Sequence, residues 1–282
     1  TFAWTSDLAF AALLVATLAL HEAGHYLAMR RFDYSNLRVF FVPFLGAAVS
    51  GHHAQARAWQ RVVIYLAGPV PGLLLGVALL ATVFHGTAGA RPALLPFALL
   101  LVVINYLNLL PLEPLDGGRI VSLLLFARHP RARALAFAAG LAGLLALALA
   151  TASPPLALFC GLLALGLPHL FRQGRLLHTL RARGVPADER AAIYTLCEYL
   201  AADPAASTFP QRYATVKGLL PEMRLPLPTR RETVCGLAVY LVFLLAPVVL
   251  VVTLWGPSIL GMVPGVTTIS QAIERQRQDS RI

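Results

Sequence analysis

Long apolar runs alternate with short polar stretches along this chain. Six runs stand out, approximately at 8–29, 62–84, 93–112, 132–150, 156–171 and 233–255. A helix of about 20 apolar residues spans the ~30 Å hydrocarbon core of a bilayer, so each run predicts a membrane-crossing helix. The fifth run is short, and predicts a span with little tilt or a partly re-entrant segment. Trp4, Trp59 and Trp255 fall near predicted span ends, where amphipathic rings favour the headgroup level. Between the first two spans, Val39 to Leu45 form a short β-rich run followed by Gly46 and Gly51. This run suits either a membrane-dipping β-hairpin or an interfacial loop. Irregular backbone is tolerated at membrane depth only against protein or water. The pattern predicts an all-α integral membrane protein with about six transmembrane helices, that hairpin being the one β feature.

Composition supports lipid as part of the solvent. Hydrophobic residues make up 58% of the 282-residue chain and charged residues 13%, with a mean hydropathy of +0.70. Soluble domains carry about 25% charged residues. The net charge of +10 is almost all arginine. The arginines lie between apolar runs and show no interleaved aromatic stripe, so they suit topology and anionic headgroups, not nucleic acid. If all six runs span, segments 30–61, 113–133 and 172–232 share one side and hold 19 of the 23 Lys/Arg. The positive-inside rule places that side in the cytoplasm and both termini outside. Cys160, Cys197 and Cys235 form no C-x-x-C pair, and predict neither a disulfide framework nor a thiolate metal site.

The predicted organisation is a membrane catalytic domain over 1–171, a small helical cytoplasmic segment over 172–232, a further transmembrane helix at 233–255 and a polar tail over 256–282. Within the cytoplasmic segment, 190–202 and 211–220 read as helices separated by Asp203-Pro204. The first apolar run lacks a basic leader and a small-residue cleavage site, so it is not expected to be a signal peptide.

The chemistry begins with His21-Glu22-Ala23-Gly24-His25, an H-E-x-x-H pattern toward the cytoplasmic end of the first span. Residues four apart share one helix face, so both imidazoles can bind a single Zn²⁺. Glu22 sits about 100° around the helix, placed to reach an attacking water without being a ligand. Each intramembrane ionisable group costs on the order of 2.5–3.5 kcal/mol on insertion scales, so three together need compensation. A metal in a water-filled cavity is one source; a structural His–Glu hydrogen-bond network is the other. A catalytic zinc takes three protein ligands. The third apolar run leads into Asn108-Leu109-Leu110-Pro111, then Leu115-Asp116-Gly117. Pro111 and Pro114 break the helix, and a broken helix can line a polar cavity. Asp116 can complete a His₂Asp site there.

H-E-A-G-H in a membrane helix, followed by N-x-x-P and L-D-G in a later span, resembles the site-2 protease family of intramembrane zinc metalloproteases. Gly68-Pro69-Val70-Pro71-Gly72 is similar to that family's glycine-bearing segment in the intervening span. The resemblance covers roughly residues 8–120, a three-helix catalytic core. It implies His21, His25 and Asp116 as ligands of one Zn²⁺ and Glu22 as catalytic base. It also implies that Asn108 positions substrate or stabilises the oxyanion. The implied substrate is a transmembrane protein cut within the bilayer, with the active site toward the cytoplasm, here of a bacterial inner membrane. Many family members have a span before the H-E-x-x-H helix; here that helix comes first in a sequence that begins at Thr1, which leaves room for a trimmed upstream segment, and no PDZ-like insertion is expected. Glu113 is expected to be a rim residue. His52 and His53 are expected to be a solvated loop pair, and His85, His129, His169 and His178 interfacial. Gly68, Gly72 and Gly76 form a small-xxx-small ladder for close helix packing.

Three competing readings stay open on sequence. One is a catalytically inactive, helix-binding scaffold, which would have little need of Glu22. Another is a metal transporter, which would spread polar groups through more spans. The third is a membrane-anchored zinc protease acting on soluble peptides, which sits poorly with the depth of His21.

Overall fold

The computed structural model describes residues 2–42, 46–53, 56–85, 94–184, 188–202, 208–224 and 226–262. It is mostly helical, with one small sheet. The order is α1 (Phe2–Arg31), β1 (Ser35–Val42), β2 (Gly46–His52), α2 (Ala58–Ala67), α3 (Pro69–His85), α4 (Leu95–Asn108) and α5 (Asp116–Leu125). Then follow α6 (Pro130–Ala150), α7 (Pro154–Ala164), α8 (Leu167–Arg183), α9 (Glu189–Tyr199), α10 (Phe209–Arg224) and α11 (Arg230–Met262).

Among the described residues, five helical stretches are long and apolar enough to cross a membrane: Leu8–Arg31, Ala58–Phe84, Ala132–Ala150, Leu156–Leu180 and Arg230–Leu250. Leu95–Asn108 is a shorter apolar helix. Burial is inverted relative to a water-soluble protein. Leu8, Leu149 and Leu165 are more than 70% exposed, while His21, Asn105 and Asp116 are buried. Lipid-facing leucine around a polar interior fits a multi-pass integral membrane protein.

The expected third span, 93–112, is cut short for a physical reason. Prolines at 111 and 114 cannot donate to a helical ladder, so α4 stops at Asn108, and its 14 residues reach about 21 Å. The freed Leu109 carbonyl accepts from the Tyr240 hydroxyl of α11 at 2.7 Å. That bond ties the last apolar helix to the loop before Asp116. The second span starts earlier than expected, at Ala58, and breaks at Gly68-Pro69 between α2 and α3. The main core lies here, with Val62, Leu66, Leu73, Leu109, Ile120, Leu123 and Tyr240 drawn from α2, α3, α5, α11 and the loop after α4.

β1 and β2 pair antiparallel, with Val39 opposite Val49 and Arg38 opposite Ser50, and both strands pack on α1. Residues 43–45 of the expected dip lie outside the described residues, as do Asp203-Pro204 and the tail from 263. α8 runs without a break through the expected boundary at 171/172. It supplies Leu177 and Leu180 to a cluster with Ala192 and Leu196 of α9 and Val216 and Leu219 of α10. The Asp188 carboxylate caps α9 by accepting from the Ala191 N–H. Thr229 and Glu232 open α11 with reciprocal side-chain caps.

Candidate metal centre

Thr17, His21 and His25 recur every fourth residue and form the buried face of α1. α2 and α4 lie against this face, and α5 starts beside it. Close approach depends on glycine at two places. A Cβ at Gly68 would fall onto the His25 ring, and one at Gly72 onto the Asn105 amide. The small-residue ladder is thus where α2 and α3 make room for polar side chains as well as for backbone.

Hydrogen bonds fix the orientation of both imidazoles. His25 Nδ1–H donates to the Ile64 carbonyl at 2.8 Å. His21 Nδ1–H donates to Asn105 Oδ1 at 2.9 Å, and Asn105 Nδ2 donates to the Leu101 carbonyl at 2.7 Å. With both Nδ1 atoms protonated, both Nε2 atoms present lone pairs. They stand 3.1 Å apart, and each lies 3.2 Å from Asp116 Oδ2. Three acceptor atoms converging in a buried site repel one another unless a cation joins them. The ligand atoms of His21, His25 and Asp116 form a group able to hold a metal. Two imidazole nitrogens and a carboxylate oxygen are donors zinc favours, and tetrahedral ligands about 2.0–2.1 Å from zinc stand roughly 3.3 Å apart. The residues present therefore fit the group.

Glu22 is buried beside this triangle, and its carboxylate accepts from the Val49 backbone N–H of β2. The small sheet thus meets the site through the strand edge that faces α1. Asp116 opens α5 immediately after the extended Leu115, at the point where the broken segment after α4 turns back into helix. Asn108 is half-buried, and its Nδ2 donates to the Ile104 carbonyl of its own helix at 3.0 Å. Glu113 differs from the rim position expected of it. It is buried, and Arg133 of α6 binds its Oε2 through Nη2 at 2.9 Å and Nε at 3.0 Å. The His53 ring lies 5.1 Å from that of Tyr34. Asn105 is the residue that sequence reasoning missed. A fully buried amide in an apolar helix is a signal for a partner, but spacing does not say that the partner is His21.

The model of Peptidase family M50 matches residues 9–89. Zinc metalloprotease MJ0392 of Methanocaldococcus jannaschii is 27% identical over 137 residues, which cover 48% of this chain and 40% of that protein. Stage IV sporulation protein FB of Bacillus subtilis is 30% identical over 121 residues, covering 42% of this chain and 40% of that protein. The chain thus spans about 40% of the length of these relatives. A solved site-2 protease from Methanocaldococcus jannaschii aligns with a TM-score of 0.44 at 22% identity, covering 57% of this chain and 76% of that one. The matched segment carries the H-E-x-x-H helix. Over that segment, the chain is similar to Peptidase family M50.

Proposed function

We propose that this chain is an intramembrane zinc metalloprotease that hydrolyses peptide bonds in transmembrane segments of membrane-bound substrates. The observation that carries the reading is the buried triangle of His21, His25 and Asp116 with Glu22 beside it, set among apolar helices. His21, His25 and Asp116 hold the ion. Zinc bound there lowers the pKa of water toward neutrality and polarises a carbonyl. Glu22 takes the proton of the attacking water and delivers it to the leaving amine. Asn108, after letting go of the Ile104 carbonyl, donates to the oxygen on which charge develops.

A transmembrane substrate hides its carbonyls in helical hydrogen bonds, so it must unwind locally. The place of β2 beside Glu22, paired with β1 along one edge, supports a role for the sheet: an unwound stretch can add to it as a further strand and lie against Glu22. In this reading the hairpin dips toward the site. His21 and His25 sit toward the Arg30–Arg31 end of α1, so by the positive-inside rule the site opens toward the cytoplasm, here of a bacterial inner membrane. The domain organisation expected from sequence is kept as part of this proposal, with α8 joining the membrane domain to the cytoplasmic helices.

Transport fits less well. Among the described residues, the buried polar and charged side chains are Thr17, His21, Glu22, His25, Asn105, Glu113 and Asp116, and α6, α7 and α11 add only the Tyr240 hydroxyl, which is bonded to the Leu109 carbonyl. An ion path would need polar groups further along.

The test compares two peptides of one cleavable sequence, one embedded in a transmembrane helix in proteoliposomes and one soluble. The transmembrane peptide should be cut, a chelator should stop the reaction, and added zinc should restore it. Cleavage of the soluble peptide alone would overturn the intramembrane reading. Zinc flux without cleavage of either peptide would favour transport.

A further inference from the structure

A cavity of about 510 Å³, lined by none of the three metal-triangle residues, lies between the membrane helices and α10. One wall is cationic. Arg61 and Tyr65 lie one turn apart on α2, and the Arg119 guanidinium of α5 sits 5.9 Å from the Tyr65 ring centroid. Arg61, Tyr65 and Arg119 all line the cavity. Arg133 also lines the cavity, but its charge is matched by Glu113 at 2.9 Å. Neither Arg61 nor Arg119 has a carboxylate partner among the described residues. The cavity holds two uncompensated positive charges.

Apolar Phe126, Phe137 and Leu163 also line it, with Phe126 two turns beyond Arg119 at the end of α5. Gly218 of α10 and Leu227 complete the lining. The cavity sits at the arginine-rich helix ends, where α2, α6 and α11 begin and Arg128 donates to the Pro228 carbonyl at 3.1 Å. That is the level of the headgroups if these helices span. A guanidinium fork matches phosphate oxygens, and basic pockets between membrane helices suit anionic headgroups. A lining of both arginine and apolar side chains suits an amphiphile better than a free anion or an acidic peptide, which would leave the apolar part unused.

We infer that this cavity is a binding site for the phosphate headgroup of one anionic phospholipid, held by Arg61 and Arg119 with its acyl side against Phe126 and Phe137. A lipid seated there bridges α2, α5 and α10, and so joins the cytoplasmic helices to the membrane core.

The test is native mass spectrometry of the full chain in mild detergent, with phosphatidylglycerol or phosphatidylcholine added. The wild type should retain one phosphatidylglycerol, with a preference over phosphatidylcholine of roughly thirty-fold for two arginines near an anionic headgroup. Arg61→Gln/Arg119→Gln should lose that preference, each single variant should lose part of it, and Arg190→Gln on α9 should keep it. Unchanged zinc content in the variants reports an intact fold, and the single Arg61→Gln variant serves if the double variant fails that check. Equal retention of both lipids, or equal retention by wild type and the arginine variants, would overturn the inference. Displacement of phosphatidylglycerol by inorganic phosphate or ATP at lower concentration would overturn the lipid source and assign the wall to a soluble phosphate. Displacement by a glutamate-rich peptide but not by phosphate would overturn it in favour of an acidic segment.

Discussion

Asn105 links His21 to α4 with both ends of its amide engaged, the oxygen by His21 and the nitrogen by Leu101. Asn105→Ala leaves a buried imidazole N–H without an acceptor and frees the ring to turn. Loss of such an outer partner weakens zinc affinity by about 10- to 100-fold, which competition with a chelator would measure. An unchanged affinity would mean that His21 is held by other means. Gly72→Ala drives a methyl group into the same amide and should weaken zinc binding in the same direction. The triangle itself was legible because i,i+4 spacing fixes His21 and His25 on one face whatever surrounds them. Asp116 was legible because proline and glycine announce a break beside it. Asn105 was not legible: its back-bond to Leu101 is local, but its meaning comes from a helix 84 residues away. Glu113 was misread for a similar reason, since Arg133 reaches it only once α6 has packed.

At the scale of elements, the broken segment between α4 and α5 is held from outside. Tyr240→Phe removes the hydroxyl that satisfies the buried Leu109 carbonyl, and leaving such a group unpaired costs about 1–3 kcal/mol. Thermal unfolding of the variant should show a lower midpoint. No shift would mean that the loop finds another donor. The Glu113–Arg133 pair is a second anchor on the same segment. Breaking a buried pair costs roughly 3–5 kcal/mol, and Arg133→Ala should lie toward the low end because the arginine side chain is 19% exposed. Proline at hairpin positions should reduce cleavage of a helical substrate more than that of a pre-unwound one, since only the former needs a template strand. Equal losses would remove the strand-pairing role. Apolar period and length marked where helices form, while proline set where α4 ends. The hydroxyl from α11 had no local signature, because it acts across 131 residues.

For the whole molecule, the arginine count and the geometry bear on one arrangement. The cytoplasmic side would carry the hairpin, the Arg61–Arg119 wall and the α8–α10 cluster. Single cysteines in a background without the native three test it: Arg57→Cys and Arg212→Cys should label from one face of sealed vesicles, and Ser153→Cys from the other. The central claim is that His21, His25 and Asp116 hold a catalytic zinc with Glu22 as the base. It is tested most directly by measuring bound zinc together with cleavage of a fluorescent transmembrane peptide, for wild type and Glu22→Gln. The account predicts about one zinc per chain in both, with cleavage in the wild type reduced by about 10²–10⁴-fold in the variant. Absence of zinc from both, or undiminished cleavage by Glu22→Gln, would contradict it.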